Sequence, residues 1–174
     1  IEPQFFGRDV LLDARRIHLG DSIRPEFLRP LPDGTDWTCE FELPSMPHDN
    51  TWLAIDVAHV EPSGPDTPPD SPFLKELRAG RLLTEVWLND RRVADVNGQL
   101  RFVASSASPD QVRIPLPRNV LRTGTNSIRL KQIPRTEDGS DFDDCEVSNL
   151  RLQLRQSSVH AFPKSSKSPA GRPR

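Results

Sequence analysis

Short stretches in which apolar and polar residues alternate are the feature that most constrains the fold of this chain. In WTCEFEL, residues 37–43, every second residue is apolar and the residues between are Thr38, Glu40 and Glu42. A period of two is typical of an antiparallel strand that buries one face. The residues that we expect to point into the core are Trp37, Cys39, Phe41, Leu53, Ile55, Val86, Leu88, Ile114, Ile128, Leu130, Leu150 and Leu152.

The segments that contain these core residues, together with the stretches 7–20 and 91–96, make about eight short strands, which are separated by Pro, Gly, Asn and Asp. That number of strands is typical of a jelly roll. The sequence therefore predicts an all-β fold, a two-sheet antiparallel β-sandwich of the jelly-roll type.

One stretch, SPFLKELRAG, carries helix signals. Ser71 stands where a cap would be, Pro72 at the first helical position and Gly80 just past the end, which predicts one short helix near 72–79. A proline-rich loop, residues 62–70, precedes it.

Composition and motifs exclude several classes of function. The 23 basic and 25 acidic residues are nearly balanced, so we expect no nucleic-acid partner. No apolar run approaches the roughly 18 to 20 residues that a membrane helix needs, so we expect no membrane insertion. The four histidines are scattered, and neither a nucleophile elbow nor a glycine-rich phosphate loop occurs. The chain is therefore predicted not to be an enzyme.

The last residues differ in composition from the rest. Residues 157–174 contain four Lys and Arg, no acid, and many Ser and Pro. Such a segment buries too little apolar surface to fold, so we predict a sandwich over 1–156 and a disordered basic tail or linker over 157–174. The start at Ile1, without an initiator Met, suggests a processed product or a piece of a longer protein.

Two segments carry a family resemblance. VWLNDRRVAD, residues 86–95, and IPLPRNVLRTGTNSIRLKQ, residues 114–132, resemble the galactose-binding-like β-sandwich domains appended to many glycoside hydrolases and polysaccharide lyases. Asn89, Gly124 and Asn126 match the family's turn residues, while Asp90 replaces the usual glycine. The resemblance implies a non-catalytic carbohydrate-binding accessory module of a larger protein, and it favours a secreted or cell-envelope location.

A set of candidate ligand-binding residues follows from the strand phases. If Leu53 and Ile55 point inward, Trp52 and Asp56 point outward, and in the strand at 84–88 the outward residues are Glu85 and Trp87, followed by Asn89. If the two strands are neighbours, as sequential strands usually are, their outer faces form one surface with two indoles, carboxylates and an amide. That composition suits carbohydrate.

The alternative is a structural or protein-interaction sandwich that packs against a neighbouring domain. In that case the segment 62–80 folds over the outer face as a flap and buries both tryptophans, since large aromatic side chains are usually covered.

An acidic stretch raises the question of a metal. EDGSDFDDCE, residues 137–146, contains six carboxylates, and Ca²⁺ binds such oxygens, but the spacing of an EF-hand is absent. The family resemblance implies Asp144 or Glu146 as ligands of a structural calcium. From the residues alone we expect a solvated acidic turn and no cofactor.

The two cysteines, Cys39 and Cys145, lack the spacing of a zinc site. They are either two buried small apolar residues or one disulfide. Since one lies in an early core strand and the other opens the last strand, we expect them to be close in space.

Overall fold

The computed structural model describes residues 6–47, 50–100 and 110–155. Within these ranges the chain forms nine strands and one short α-helix, which confirms the predicted all-β fold. The predicted tail, residues 157–174, lies outside the described residues. The elements are β1 Phe6–Asp13, β2 Ile17–Leu19, β3 Asp36–Leu43, β4 Thr51–Ala58, α1 Leu74–Arg78, β5 Thr84–Leu88, β6 Arg91–Asp95, β7 Asp110–Pro115, β8 Gly124–Gln132 and β9 Cys145–Arg155.

The strands form two sheets, in which every ladder is antiparallel. The five-stranded sheet has the order β1-β9-β4-β7, and β2 also pairs with β9. The four-stranded sheet has the order β3-β8-β5-β6. Apolar residues of both sheets belong to one core cluster, so the two sheets pack face to face as a sandwich.

The core follows the predicted alternation. Leu53 and Ile55 of one sheet, and Val86, Leu88 and Leu130 of the other, are completely buried. Trp37 and Cys39, near the start of β3, are half-buried and pack against the same cluster. All twelve predicted core residues therefore lie in or against the core.

The β5–β6 hairpin turns at Asn89 and Asp90. Both residues have left-handed backbone, with φ of 48° and 62°, and Leu88 pairs with Arg91 across the turn. Asn and Asp are the non-glycine residues that adopt this conformation most readily. Asn89 and Asp90 therefore form a two-residue hairpin turn, at a position that the family resemblance marks as a turn.

The helix begins later than predicted. Phe73, not Ser71, precedes its first residue, with φ of 60°, and no side chain caps it. Gly80, with φ of 80°, follows its end as predicted. Leu77 packs with Leu82 and Leu83, which come just before β5, in a small cluster separate from the main core.

The predicted proximity of the two cysteines is wrong, and both are free. Cys39 pairs with Ile128 of β8, whereas the Cys145 sulfur lies 3.8 Å from Nε2 of Gln132, four residues further along β8. At about 3.3 Å per residue these positions are ~13 Å apart, too far for a disulfide. Burial raises the pKa of the Cys145 thiol well above its usual range, so this side chain is a buried small residue.

Among the residues that the structure describes, no helix has both the length and the apolar character needed to cross a membrane.

The core makes a prediction about stability. Leu130→Ala removes a completely buried side chain between the sheets and is expected to lower the free energy of unfolding by about 2 to 5 kcal/mol. The control is Leu11→Ala, because Leu11 is 60% exposed. Urea denaturation measures both, and equal effects of the two substitutions would contradict the strand phases.

Candidate ligand-binding site

The predicted site residues lie on two different sheets. Trp52 and Asp56 are on β4 of the five-stranded sheet, whereas Glu85 and Trp87 are on β5 of the four-stranded sheet. Both pairs face away from the core, so the two tryptophans lie on opposite outer faces of the sandwich. The expectation that the two strands are neighbours is wrong, because β5 pairs with β6 and β8 and β4 with β7 and β9.

Trp87 lies in the middle of the outer face of the four-stranded sheet. In register it pairs with Arg129 of β8 on one side and Arg92 of β6 on the other, and Thr38 of β3 lies beyond Arg129. The indole is half-buried. Polar side chains therefore flank the ring across the whole width of the sheet.

Two charged side chains fix the indole. Trp87 Nε1 donates to Oε2 of Glu85 at 3.0 Å, and Arg92 Nε donates to the other carboxylate oxygen at 2.7 Å. Since the ring nitrogen is satisfied within the protein, the surface that the indole offers to a ligand is its hydrocarbon face.

An open depression of about 550 Å³ adjoins the Trp87 ring. It is lined by Asp36, Thr38, Trp87, Asp90, Ser127 and Arg129. Arg129 Nε donates to Oδ1 of Asp36 at 2.7 Å, and its hydrogen bonds hold the pKa of that carboxyl below the ordinary value. None of the lining residues belongs to the segment 62–80, so the predicted flap does not cover this ring.

Asn89 has a structural role. Its Nδ2 donates to the carbonyl of Val120 at 2.7 Å and to Oδ1 of Asn126 at 2.8 Å, and its Oδ1 accepts from the amide of Ser127 at 3.0 Å. Asn126, completely buried, donates to the carbonyls of Arg122 and Gly124. These bonds occupy both Asn89 amide atoms, and the matching turn residues thus form a network that joins the β5–β6 hairpin to the turn before β8.

The other predicted face is occupied by the protein's own contacts. Asp56 accepts from Arg151 at 3.0 Å, from Asn149 at 2.9 Å and from Gln111 at 3.2 Å. Burial alone would raise the pKa of Asp56, but these hydrogen bonds outweigh it and the pKa lies below the ordinary value. Trp52 is half-buried, between Pro115 and Gln153 in the register. Asp56 therefore ties three strands together.

Asp144 fixes the loop between β2 and β3. Its Oδ1 accepts from the amides of Asp21 and Ser22, both at 3.1 Å, and its Oδ2 accepts from Arg24 Nε at 2.8 Å. A Cβ at Gly20 would lie 1.9 Å from the same carboxylate, so only glycine allows this approach.

Glu146 fixes a later part of the same loop. Its oxygens accept from the amides of Leu28 at 3.3 Å and Arg29 at 2.9 Å. The two carboxylates that the family resemblance implies as calcium ligands are thus hydrogen-bonded by the protein itself. Among the described residues, no three His, Cys, Asp or Glu side chains are arranged to hold a metal ion.

A second pocket lies at the end of the sandwich, and the sequence did not predict it. It is formed by Arg24, Glu26, Phe27, His59, Glu61, Phe73, Leu82, Arg135, Asp141, Phe142, Asp143 and Asp144. These residues come from the β2–β3, β4–β5 and β8–β9 connections, which are remote in sequence. In the sequence, the local feature that indicates this pocket is the acidic stretch before β9.

Comparisons with known proteins identify no family. No protein-family model matches the chain, and no curated protein matches it. Among solved structures, it is similar to a family 35 carbohydrate binding module from an environmental isolate, with 14% sequence identity and a TM-score of 0.36. The match covers 83% of this chain and 92% of that chain. With so low a score, function has to be argued from the geometry above.

The hydrogen bonds that the protein gives to Asp144 and Glu146 lead to a prediction about stability, with and without a chelator. Asp144→Asn removes the charge that holds the β2–β3 loop, and we expect it to lower the free energy of unfolding by about 1 to 3 kcal/mol. A chelator should leave the melting temperature of the unmodified chain unchanged, since the protein's own donors hold these oxygens.

Glu137→Gln, an exposed change in the same acidic stretch, is the control and should have little effect. A chelator-induced fall in melting temperature that Ca²⁺ reverses would contradict this account.

Proposed function

We propose that this chain is a non-catalytic, galactose-binding-like carbohydrate-binding module of a larger protein. We propose the outer face of the four-stranded sheet as its binding surface. The observation that supports this is the half-buried Trp87, which stands beside an open depression whose other lining residues are all polar.

The chemistry of this face suits a sugar ring. One side of a pyranose carries C–H groups that pack on an indole face, while its hydroxyls need hydrogen-bond partners around the edge. Thr38, Asp90 and Ser127 supply such partners within the depression. The Glu85–Arg92 pair holds the indole in place before a ligand arrives, which lowers the entropic cost of binding.

The charges on this face favour a neutral sugar. Arg129 is paired with Asp36, and Arg92 with Glu85. The two arginines in register with Trp87 therefore each have a carboxylate partner already, and a negatively charged sugar that bound either arginine would have to displace that partner. We accordingly propose a neutral hexose or pentose polymer as the ligand.

The same pairing supports a binding role without catalysis. Glycoside hydrolysis needs a carboxylic acid with a raised pKa that donates a proton to the leaving group. The hydrogen bonds from Arg129 lower the pKa of Asp36, so this carboxyl is ionised at neutral pH and has no proton to give. The domain needs no cofactor for sugar binding of this kind.

Replacement of the two tryptophans tests this proposal. Trp87→Ala is expected to weaken the binding of a neutral oligosaccharide at least tenfold, which corresponds to about 1.4 kcal/mol. Trp52→Ala is the matched control, since Trp52 is also half-buried but lies on the opposite face, and it should leave binding unchanged. Isothermal titration calorimetry against a panel of galactose-, glucose-, mannose- and xylose-based oligomers measures both.

Thermal unfolding of each variant gives the control for folding. If the unmodified chain binds no member of the panel, or if the two variants lose binding equally, the Trp87 face is not a carbohydrate site.

A second candidate function rests on a different surface. The β2–β3 loop exposes three aliphatic side chains, Ile23, Leu28 and Leu31, at 65%, 76% and 64%. Asp144 and Glu146 hold the backbone of this loop in place. Three exposed aliphatic side chains on one loop that is tied down by hydrogen bonds are a candidate protein interaction site. We therefore propose docking against a neighbouring domain as the alternative role.

One pair of variants separates the two roles. If the loop docks on an adjacent domain, Leu28→Ser should weaken that association and leave sugar binding and thermal stability unchanged. Trp87→Ala should weaken sugar binding and leave the association unchanged. Size-exclusion chromatography of this chain mixed with the separately produced adjacent domain measures the association. An unchanged complex with Leu28→Ser would exclude Leu28 as a docking contact.

A further inference from the structure

The pocket at the end of the sandwich has a volume of about 260 Å³ and an aromatic wall. Phe27 stacks on His59 with 4.4 Å between the ring centroids, and Phe73 and Phe142 also line the space. The pocket is separate from the Trp87 face, because it lies among the loops that connect the strands. It shares no lining residue with the depression beside Trp87.

Both cations at this pocket are already paired. Arg24 Nε donates to Asp144 at 2.8 Å, and Arg135 lies 3.2 Å from Asp141, with its guanidinium 5.5 Å from the centre of the Phe73 ring. Three more carboxylates line the pocket, those of Glu26, Glu61 and Asp143. They form no salt bridge with any residue that the structure describes, so the pocket has an excess of negative charge.

Asp143 is the most unusual of these groups. Its Oδ2 is buried and accepts no hydrogen bond within the described ranges. Burial, and then the nearby charge of Glu61, raise the pKa of Asp143 to about 7, and burial also raises the pKa of Glu61. In the ionised form of Asp143, Oδ2 is a buried acceptor without a partner, which is costly, and a cationic ligand that donates to it would remove this cost and favour the ionised form.

Backbone strain is concentrated around the same space. His59, Phe73, Leu82 and Asp141 all line the pocket and all have positive φ, between 56° and 64°. They account for four of the seven non-glycine residues with positive φ in the described part of the chain. Left-handed backbone at bulky residues costs of order 1 kcal/mol or more, and it clusters at ligand sites where the surrounding structure enforces it.

We propose that this pocket binds a primary ammonium group, held by the carboxyls of Asp143 and Glu61 against the wall of Phe27, His59 and Phe73. An ammonium group brings the positive charge that the pocket lacks and N–H donors for the buried oxygen. The aromatic rings attract the same charge. A metal ion is a poorer occupant, because no three ligating side chains converge within the described ranges.

The donor requirement defines the ligand class. A quaternary ammonium ion carries the charge but no N–H, so it cannot satisfy Oδ2 of Asp143. An alkylamine and an amino sugar share the ammonium group, and the volume of the pocket accommodates either. The proposal does not rest on carbohydrate binding at Trp87, and each can fail alone.

Titration with n-butylammonium tests the proposal. Binding is detected by chemical-shift changes at the backbone amides of Phe27, His59 and Phe73. We expect saturable binding with a Kd of about 1 mM, typical of a small ligand that makes few contacts. The matched ligands n-butanol and tetramethylammonium should bind at least tenfold more weakly. Comparison of glucosamine with N-acetylglucosamine shows whether an amino sugar is accepted as well as an alkylamine.

Variants assign the binding to the proposed carboxyls. Asp143→Asn keeps the shape of the side chain but removes the charge, and it should weaken n-butylammonium binding at least tenfold. Glu61→Gln provides a second variant if Asp143→Asn does not fold, and Glu137→Gln, outside the pocket, is the control.

The proposal is overturned if n-butanol binds as well as n-butylammonium, if no shift saturates, or if the folded pocket variants bind as the unmodified chain does. Loss of oligosaccharide binding with Trp87→Ala, but not with Asp143→Asn, would show that the two sites are independent.

Discussion

The packing of the two sheets against each other determines every other feature of this structure. Val86 and Leu88 are completely buried between the sheets, and side chains alternate along a strand, so Trp87 between them can only point outward. A slip of one residue would bury Glu85 and Trp87 and expose the two aliphatic residues. The position of the indole is therefore a consequence of the core, and no local contact of the ring is needed to explain it.

Many of the polar residues that stand out in the sequence serve the fold. Asn89 and Asn126 satisfy each other and five backbone groups where two turns meet. The loop between β2 and β3 has no regular structure, so its backbone amides lack the partners that a neighbouring strand would provide. Asp144 accepts from two of these amides instead. Side chains occupied in this way are poor candidates for ligand contacts, because a ligand would have to break buried bonds to reach them. Glu85 differs, since its bonds orient a ring that the solvent still reaches.

The sequence predicts the parts of the fold that depend on short-range pattern. The alternation at residues 37–43 predicts the strand and its buried face, and the match of Asn89 to a turn residue of the family indicates the position of the turn. Which strands become neighbours depends on contacts between remote segments, such as β5 with β8, and a single sequence carries no local signal for this pairing. For that reason the prediction that Trp52 and Trp87 share one surface is wrong, and so is the prediction that Cys39 lies close to Cys145.

The two proposed sites also differ in how the fold holds them, and this difference bears on what each can recognise. The Trp87 face is built on paired strands, which fix its geometry, and its open shape is the reason that we propose an extended polymer as its ligand. The end pocket is built from three loops whose backbone is left-handed at four non-glycine positions, and it is lined by Asp143, whose Oδ2 is buried and accepts no hydrogen bond within the described ranges. Enclosure lowers the effective dielectric, which makes an uncompensated charge costly and a complementary charge correspondingly favourable. As proposed, the open Trp87 face would therefore select its ligand by shape and stacking, whereas the end pocket would select its ligand by charge and hydrogen-bond donors.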